Sequence, residues 1–232
     1  MPDNKTVYAH HGNEYEALIA REDYQGNIAR AIVEIIDIDM DGLDVLDLGA
    51  GTGRLTLLLV PRVKSVRAFD VSSEMLRVCR EKLLKSGLAN WQVDVADHRQ
   101  LPVQDHSADL VISGWSVNYL AVWNPEHANQ ELDKWLAEMQ RVLRKDGMII
   151  LFETLGTGSE TPVRVKPVES TYDWLNVNGF RSKWIRTDYQ FDSIDEADYL
   201  SRFFFGDELG DRVRQNNWII LPECTGVWWK RI

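Results

Sequence analysis

The stretch Val45-Leu46-Asp47-Leu48-Gly49-Ala50-Gly51-Thr52-Gly53 decides how this chain is read, together with Ala68-Phe69-Asp70 at the end of the next apolar run. Residues typical of a buried strand lead into three glycines spaced by one, and Arg54-Leu55-Thr56-Leu57-Leu58-Leu59 can open a helix directly afterwards. Such a turn brings bare backbone N–H groups and a helix N-terminus up to a ligand. Asp70 lies 21 residues beyond Gly49, where a carboxylate at a strand end can accept hydrogen bonds from both hydroxyls of a ribose. Together these signals describe an adenosine site on an α/β sheet.

The spacing also discriminates among adenosine cofactors. A dinucleotide fold uses G-x-G-x-x-G, whose third glycine lets the helix pack closely while its N-terminus holds a pyrophosphate. Position 54 is Arg instead. Asp47 stands two residues before the first glycine, and a fixed carboxylate there repels a pyrophosphate but attracts an ammonium group. S-adenosylmethionine carries adenosine, a methionine ammonium and no phosphate, and so meets these demands. An NAD-type oxidoreductase is the alternative that Arg54 and Asp47 speak against.

With these residues the chain resembles the class I S-adenosylmethionine-dependent methyltransferases, in their small-molecule branch. Three further segments carry the resemblance. Asp70-Val71-Ser72-Ser73-Glu74-Met75-Leu76 is similar to the family's ribose segment. Asp97-His98-Arg99-Gln100-Leu101-Pro102-Val103, followed by Ser107-Ala108-Asp109-Leu110-Val111-Ile112-Ser113, is similar to its adenine loop and fourth strand. Glu138-Met139-Gln140-Arg141-Val142-Leu143-Arg144-Lys145-Asp146-Gly147 is similar to the helix and turn before its fifth strand. The four matches fall in order over roughly residues 40 to 155.

The resemblance implies a Rossmann-like, doubly wound seven-stranded sheet, mostly parallel, with helices on both faces. Its last strand would be antiparallel and inserted between the fifth and sixth. The resemblance also implies site roles. Asp47 and the backbone of Gly49, Ala50 and Gly51 would face the methionine part, Asp70 the ribose and Val71 the adenine face. Asp97 would accept from the adenine amino group, the His98 backbone N–H would donate to the ring, and the Ser113 carbonyl would help hold the ammonium. The His98 side chain is expected to be an exposed loop histidine.

Methyl transfer is an in-line displacement at a carbon already activated by a sulfonium, so alignment and exclusion of water are the main demands on the protein. Gly114-Trp115-Ser116-Val117-Asn118-Tyr119 follows the fourth strand, outside the carboxyl edge where substrates bind in such sheets. Trp115, Asn118 and Tyr119 are therefore the acceptor-side candidates. Tyr119, His11 and Glu153 are the candidate bases for an acceptor that must lose a proton. His10 and His11 are expected just before the first helix, with Tyr15 and Tyr24 in reach of the cofactor carboxylate.

Apolar periodicity predicts two helical stretches over 13 to 37, broken near Asp23-Tyr24-Gln25-Gly26, with Asp23 capping the second. Strands are predicted at about 43–49, 65–70, 90–95, 108–113 and 147–153, and helices at about 54–60, 73–86 and 129–144. Beyond Glu153 a helix near 169–178, a strand near 180–191 and a helix near 195–214 are expected, before apolar runs at 218–220 and 226–229. The whole reads as one domain, 1–232, with an N-terminal helical cap (1–38), a cofactor-binding core (39–155) and a C-terminal substrate-side half (156–232).

Composition narrows the function classes. The chain has 26 basic and 36 acidic residues, a net charge of −10, which disfavours nucleic acid because phosphate contacts need clustered Lys and Arg. A local basic patch such as Arg164, Lys166, Arg181, Lys183 and Arg186 escapes that average, but Glu160, Glu169, Asp173 and Asp188 interleave with it, so a solvated surface is expected. Cys79 and Cys224 are the only cysteines, and Cys79 falls with Leu76 and Leu83 on one helical face, so packing is expected in place of a disulfide. No signal-peptide pattern opens the chain, and no apolar run approaches the ~18 residues of a membrane span. A cytoplasmic protein without membrane contact is expected.

Other chemistries find no support. Ser113-Gly114-Trp115-Ser116 stands where a base-methylating enzyme would carry Asn-Pro-Pro-Tyr or a Pro-Cys nucleophile, and no G-x-S-x-G elbow or H-E-x-x-H zinc pair occurs. No metal is expected. Trp174, Trp184, Trp218, Trp228 and Trp229 either line an apolar acceptor pocket or fill the core. Two rival functions stay open on sequence grounds: a cofactor-binding module without turnover, and transfer to a protein side chain.

Overall fold

The computed structural model describes residues 4–232. In chain order the helices are α1 Asn4–His10, α2 Gly12–Ile19, α3 Asn27–Ile36, α4 Arg54–Leu59, α5 Ser73–Ser86, α6 Asn118–Val122, α7 Ala128–Val142, α8 Glu169–Val177, α9 Ile194–Phe205 and α10 Asp207–Asn216. The strands are β1 Asp44–Leu48, β2 Ser65–Asp70, β3 Trp91–Val95, β4 Ala108–Gly114, β5 Leu143–Thr157, β6 Arg181–Arg186, β7 Tyr189–Gln190, β8 Ile220–Leu221 and β9 Glu223–Arg231.

Seven strands form one sheet in the order β3-β2-β1-β4-β5-β9-β6. The pairs β1–β2, β1–β4, β2–β3 and β4–β5 are parallel, while β9 runs antiparallel to both β5 and β6. This is the expected doubly wound sheet with its last strand inserted antiparallel. Helices cover both faces, so the central strands are buried on both sides and read as near-continuous apolar runs. Val45 packs with Ile32, Leu59 and Cys79 on one face. Leu46 and Leu48 pack with Trp135, Met139 and Leu151 on the other. The strand order reverses between β1 and β4, which opens a crevice at their carboxyl ends.

Differences from the predicted elements have local causes. A first helix, α1, precedes the two predicted stretches; His10 is its last residue and His11 is the N-cap of α2, so neither lies ahead of the helical region. Asp23 does cap α3, its Oδ1 accepting from the Asn27 N–H at 2.7 Å and its Oδ2 from the Ile28 N–H at 2.9 Å. The predicted strand at 180–191 divides: β6 stays in the main sheet, and β7 leaves it to pair with β8 in a separate two-stranded sheet. Gly206, at φ 96° and ψ 177°, breaks the predicted 195–214 helix into α9 and α10. These two helices pack with Leu18, Tyr189 and Leu221 in a third apolar cluster.

The basic patch is largely neutralised, with Arg164 on Asp173, Lys183 on Glu34, and Arg186 on Glu160 and Asp188. Cys79 and Cys224 are both free and buried. Among the described residues no helix is long and apolar enough to cross a membrane, and no cluster of three or more His, Cys, Asp or Glu side chains has a metal-site arrangement.

Candidate active site

The site is built on the turn after β1. Gly49 and Gly51 have φ of 64° and 55°, the left-handed region that favours glycine. A β-carbon on Gly49 would land on the Ser116 side chain, so that position is closed to any other residue. The loop is tied to β2 by the Ala50 N–H donating to the Phe69 carbonyl at 3.0 Å. Asp70, at the end of β2, accepts from the Gly51 N–H at 2.9 Å through Oδ2 and from the Ser72 N–H at 2.8 Å through Oδ1. Burial raises its carboxyl above the usual range, and these backbone donors pull it back. Ser72 caps α5 by accepting from the Met75 N–H, and it donates to the Tyr8 carbonyl at 2.5 Å, which draws α1 over the crevice.

A cavity of about 480 Å³ opens at the carboxyl ends of the strands. Of the residues expected to bind cofactor, Gly49, Gly51, Asp70, Val71, Asp97 and His98 line it, as do Trp115 and Tyr119 from the acceptor-side group. Asp47 and Ala50 face an adjoining hollow of about 30 Å³, which shares Tyr15, Gly49, Gly51, Gly114 and Trp115 with the main cavity. Ser113 lies beneath both, its hydroxyl donating to the Leu48 carbonyl at 2.7 Å and meeting Ser116 Oγ at 2.8 Å. Tyr24 is exposed and lines neither space.

Asp97 is held by Arg99, whose guanidinium and backbone N–H both reach its carboxylate and keep its carboxyl below the usual range. His98 corrects the expectation of an exposed loop histidine: it is 8% exposed, faces the cavity and, among the described residues, leaves Nδ1 without a hydrogen-bond partner. Burial lowers its pKa to about 4, so the ring is neutral at physiological pH.

The three candidate bases fare differently. The Tyr119 hydroxyl lies in the cavity wall, 2.8 Å from the Tyr8 hydroxyl, and accepts from Asn4 Nδ2 at 2.9 Å. Burial raises its pKa, which opposes the phenolate a base would need. Glu153 is 2% exposed and lines no part of the cavity; with β5 continuing to Thr157, it sits inside the strand and not at its end. Its carboxylate is spent on Asn118, which is also turned away from the cavity. His11 packs on Phe203 and faces Glu14 outside the cavity.

Several wall residues had no motif to announce them. Lys5, Tyr8 and Trp123 close the acceptor side, with Tyr119 stacked on Trp123 at 4.7 Å and the Lys5 ammonium 4.9 Å from the Trp123 ring. By contrast the tryptophans of the C-terminal part line none of this space. Trp174 and Trp228 are core residues, the latter stacked on Tyr172 at 5.2 Å, and Trp184 is on the surface.

The arrangement fits S-adenosylmethionine on its own evidence. Asp47 is 1% exposed; Thr56 donates to its Oδ2 at 2.5 Å, while Oδ1 is buried with no partner among the described residues. An unpaired buried carboxylate oxygen is costly, and an ammonium in the adjoining hollow would supply the missing donor. Asp70 and Asp97 would hold the ribose and adenine, with the apolar side of Val71 against the ring.

Comparison with known proteins agrees. Residues 45–147 match the model of a methyltransferase domain. The chain is 32% identical over 139 residues to malonyl-[acyl-carrier protein] O-methyltransferase of Marinomonas sp., covering 59% of this chain and 47% of that protein. It is 31% identical over 140 residues to the ubiquinone/menaquinone biosynthesis C-methyltransferase of Bordetella avium, covering 59% and 48%. The match thus spans about half the length of these curated relatives. A SAM-dependent methyltransferase from Aquifex aeolicus has the same fold, with a TM-score of 0.61 at 18% identity, over 94% of this chain and 97% of that one. With the glycine turn, Asp70 and Asp97 gathered at one crevice, residues 45–147 carry a methyltransferase domain, and the chain is similar in sequence and fold to the class I S-adenosylmethionine-dependent methyltransferases.

Proposed function

We propose that the protein transfers a methyl group from S-adenosylmethionine to a small-molecule acceptor and releases S-adenosylhomocysteine. The observation that carries this reading is the continuity of the cavity: its polar half, at Gly49, Asp70 and Asp97, runs directly into an aromatic half walled by Tyr8, Trp115, Tyr119 and Trp123. A volume of about 480 Å³ suits a cofactor and a compact acceptor, and favours these over a protein side chain presented in an open groove.

When bound, the cofactor supplies a methyl carbon activated by its sulfonium. The chain's residues then align and enclose. The loop at Gly49 to Gly51 and the Asp70 carboxylate orient the nucleoside, the helix α1 covers it through Tyr8, and the aromatic walls exclude water. None of the three expected bases offers an ionised group to the aromatic half, because Tyr119 is held protonated, Glu153 is committed to Asn118 and His11 lies outside the cavity. The neutral His98 ring also lines the cavity and can accept a proton there. Acceptors that are nucleophilic without prior deprotonation, or need only late proton removal, suit such a site.

The direct test is isothermal calorimetry of the purified protein with S-adenosylhomocysteine, S-adenosylmethionine and NAD. Binding of the two sulfur compounds with no heat from NAD supports the reading, and binding of NAD alone overturns it. A radiolabelled methyl group carried from S-adenosylmethionine into small molecules of a cell extract, and not into its proteins, supports the acceptor class.

A further inference from the structure

Arg54 occupies the position that a dinucleotide fold gives to glycine, and its role is not explained by the glycine turn. It is the first residue of α4, with its side chain 16% exposed. Glu22, from the connection between α2 and α3, pairs with Nη1, and the Trp115 ring lies 3.6 Å from the guanidinium carbon. Trp115 is itself fixed, at a φ of 53°, by its N–H donating to the Phe152 carbonyl at 2.6 Å and by stacking on the Phe152 ring. The guanidinium is thus clamped between a carboxylate and an aromatic face. Among the described residues, only one of its five N–H donors has a protein acceptor.

Arg54 and Asp47 line the same small hollow beside the main cavity. A buried cation with free donors and a buried carboxylate with a free oxygen there form a charge pattern opposite to that of an α-amino acid group. We propose that Arg54 donates to the carboxylate of the bound cofactor, opposite Asp47, so that the two side chains together read the amino-acid end. The proposal rests on the cofactor reading above. The competing role for Arg54 is to neutralise Glu22 and nothing more. In that role its loss would act on the fold, not on one end of a ligand.

The test is calorimetry of wild type, R54K and R54Q with S-adenosylhomocysteine and with 5′-methylthioadenosine, which lacks the amino-acid end. Charge-assisted hydrogen bonds of this kind predict an S-adenosylhomocysteine affinity about 10- to 100-fold weaker in R54Q, with 5′-methylthioadenosine changed by less than about twofold. R54K falls between, since an ammonium keeps the charge and loses the planar fork. Parallel weakening of both ligands, or of neither, overturns the proposal. A second measurement needs no variant: wild type should prefer S-adenosylhomocysteine over its carboxyl methyl ester by a similar factor, and equal affinity overturns the proposal. Wild type that binds no S-adenosylhomocysteine overturns the functional reading and this one together. Tight binding indifferent to Arg54 and to the ester overturns this one alone.

Discussion

Glu153 grips Asn118 with both carboxylate oxygens: Oε2 accepts from the side-chain amide at 2.6 Å, and Oε1 accepts from the backbone N–H at 3.1 Å. Asn118 opens α6 and follows directly on the turn that carries Trp115 and Ser116. The pair therefore ties the acceptor-side turn to the middle of the sheet, and Glu153 acts on the site through position alone.

Burial raises the Glu153 carboxyl to about 8, although the backbone N–H groups of Asn118, Val117 and Ser116 draw it down. The folded protein then holds a proton that the unfolded chain releases near the ordinary Glu value of about 4.3. Stability is complete below that value and declines as pH rises toward 8. Glu223, also raised to about 8, adds to the decline. Glu153→Gln should flatten part of this slope, by on the order of a few kcal/mol at pH 8.5, while Glu153→Ala should destabilise at every pH by orphaning the Asn118 donors. Denaturant melts of the three proteins from pH 5 to 8.5 measure this; an unchanged slope in Glu153→Gln refutes it.

Asp47 gives the cofactor site its own pH dependence. Burial pushes its carboxyl up to about 7, against the hydrogen bond from Thr56, and the nearby Asp70 raises it further while Arg54 lowers it. An ammonium ligand requires the ionised form, so binding releases a proton when it begins below about pH 7. Affinity for S-adenosylhomocysteine should rise between pH 6 and 8 and level off above. Asp47→Asn should bind about 10-fold or more weaker with little pH dependence. Calorimetry in two buffers of different ionisation enthalpy counts the proton directly, and a count of zero at pH 6 contradicts the assignment.

The part of the candidate site around the glycine turn is legible in the sequence because its signals are local. The glycine spacing, Asp47 and Asp70 lie within or next to single strands, and parallel strands buried on both faces announce themselves as apolar runs. The acceptor half depends on tertiary packing that no local pattern encodes. His98 faces inward because Gly49 and Ser116 leave room for its ring, with Nε2 3.0 Å from where a β-carbon on Gly49 would stand. Tyr8 meets Tyr119 from 111 residues away, and Trp123, one helical turn beyond Tyr119, is turned onto the same wall only by the packing of α6. Glu153 stands at the end of the predicted strand at 147–153, while β5 continues to Thr157. Asn118 looked like an acceptor contact because only the fold shows which side of the turn it faces.

Asp70 should carry a large share of nucleoside affinity. It already accepts from Gly51 and Ser72, and it lines the cavity. Asp70→Asn removes a charged acceptor, so S-adenosylhomocysteine should bind roughly 10- to 100-fold weaker. The 2′-deoxy and 3′-deoxy forms of the ligand should lose less affinity on the variant than on wild type. Equal losses on both proteins would place the ribose elsewhere.

Gly49 and Gly51 should separate folding from binding within one turn. Both have positive φ, so alanine at either strains the backbone by about 1 kcal/mol. At Gly49 the new methyl also meets the Ser116 side chain, and Gly49→Ala should lower the melting midpoint by several degrees. Adding Ser116→Gly should restore part of that loss. At Gly51 the nearest atom to the new methyl is the Gly49 carbonyl oxygen, 4.0 Å away. Gly51→Ala should therefore melt close to wild type, yet bind S-adenosylhomocysteine at least 10-fold weaker, because the methyl stands where the cofactor must approach the loop backbone. Melting curves with and without S-adenosylhomocysteine read both effects; a Gly51→Ala protein stabilised by ligand as strongly as wild type would mean that the cofactor does not touch this turn.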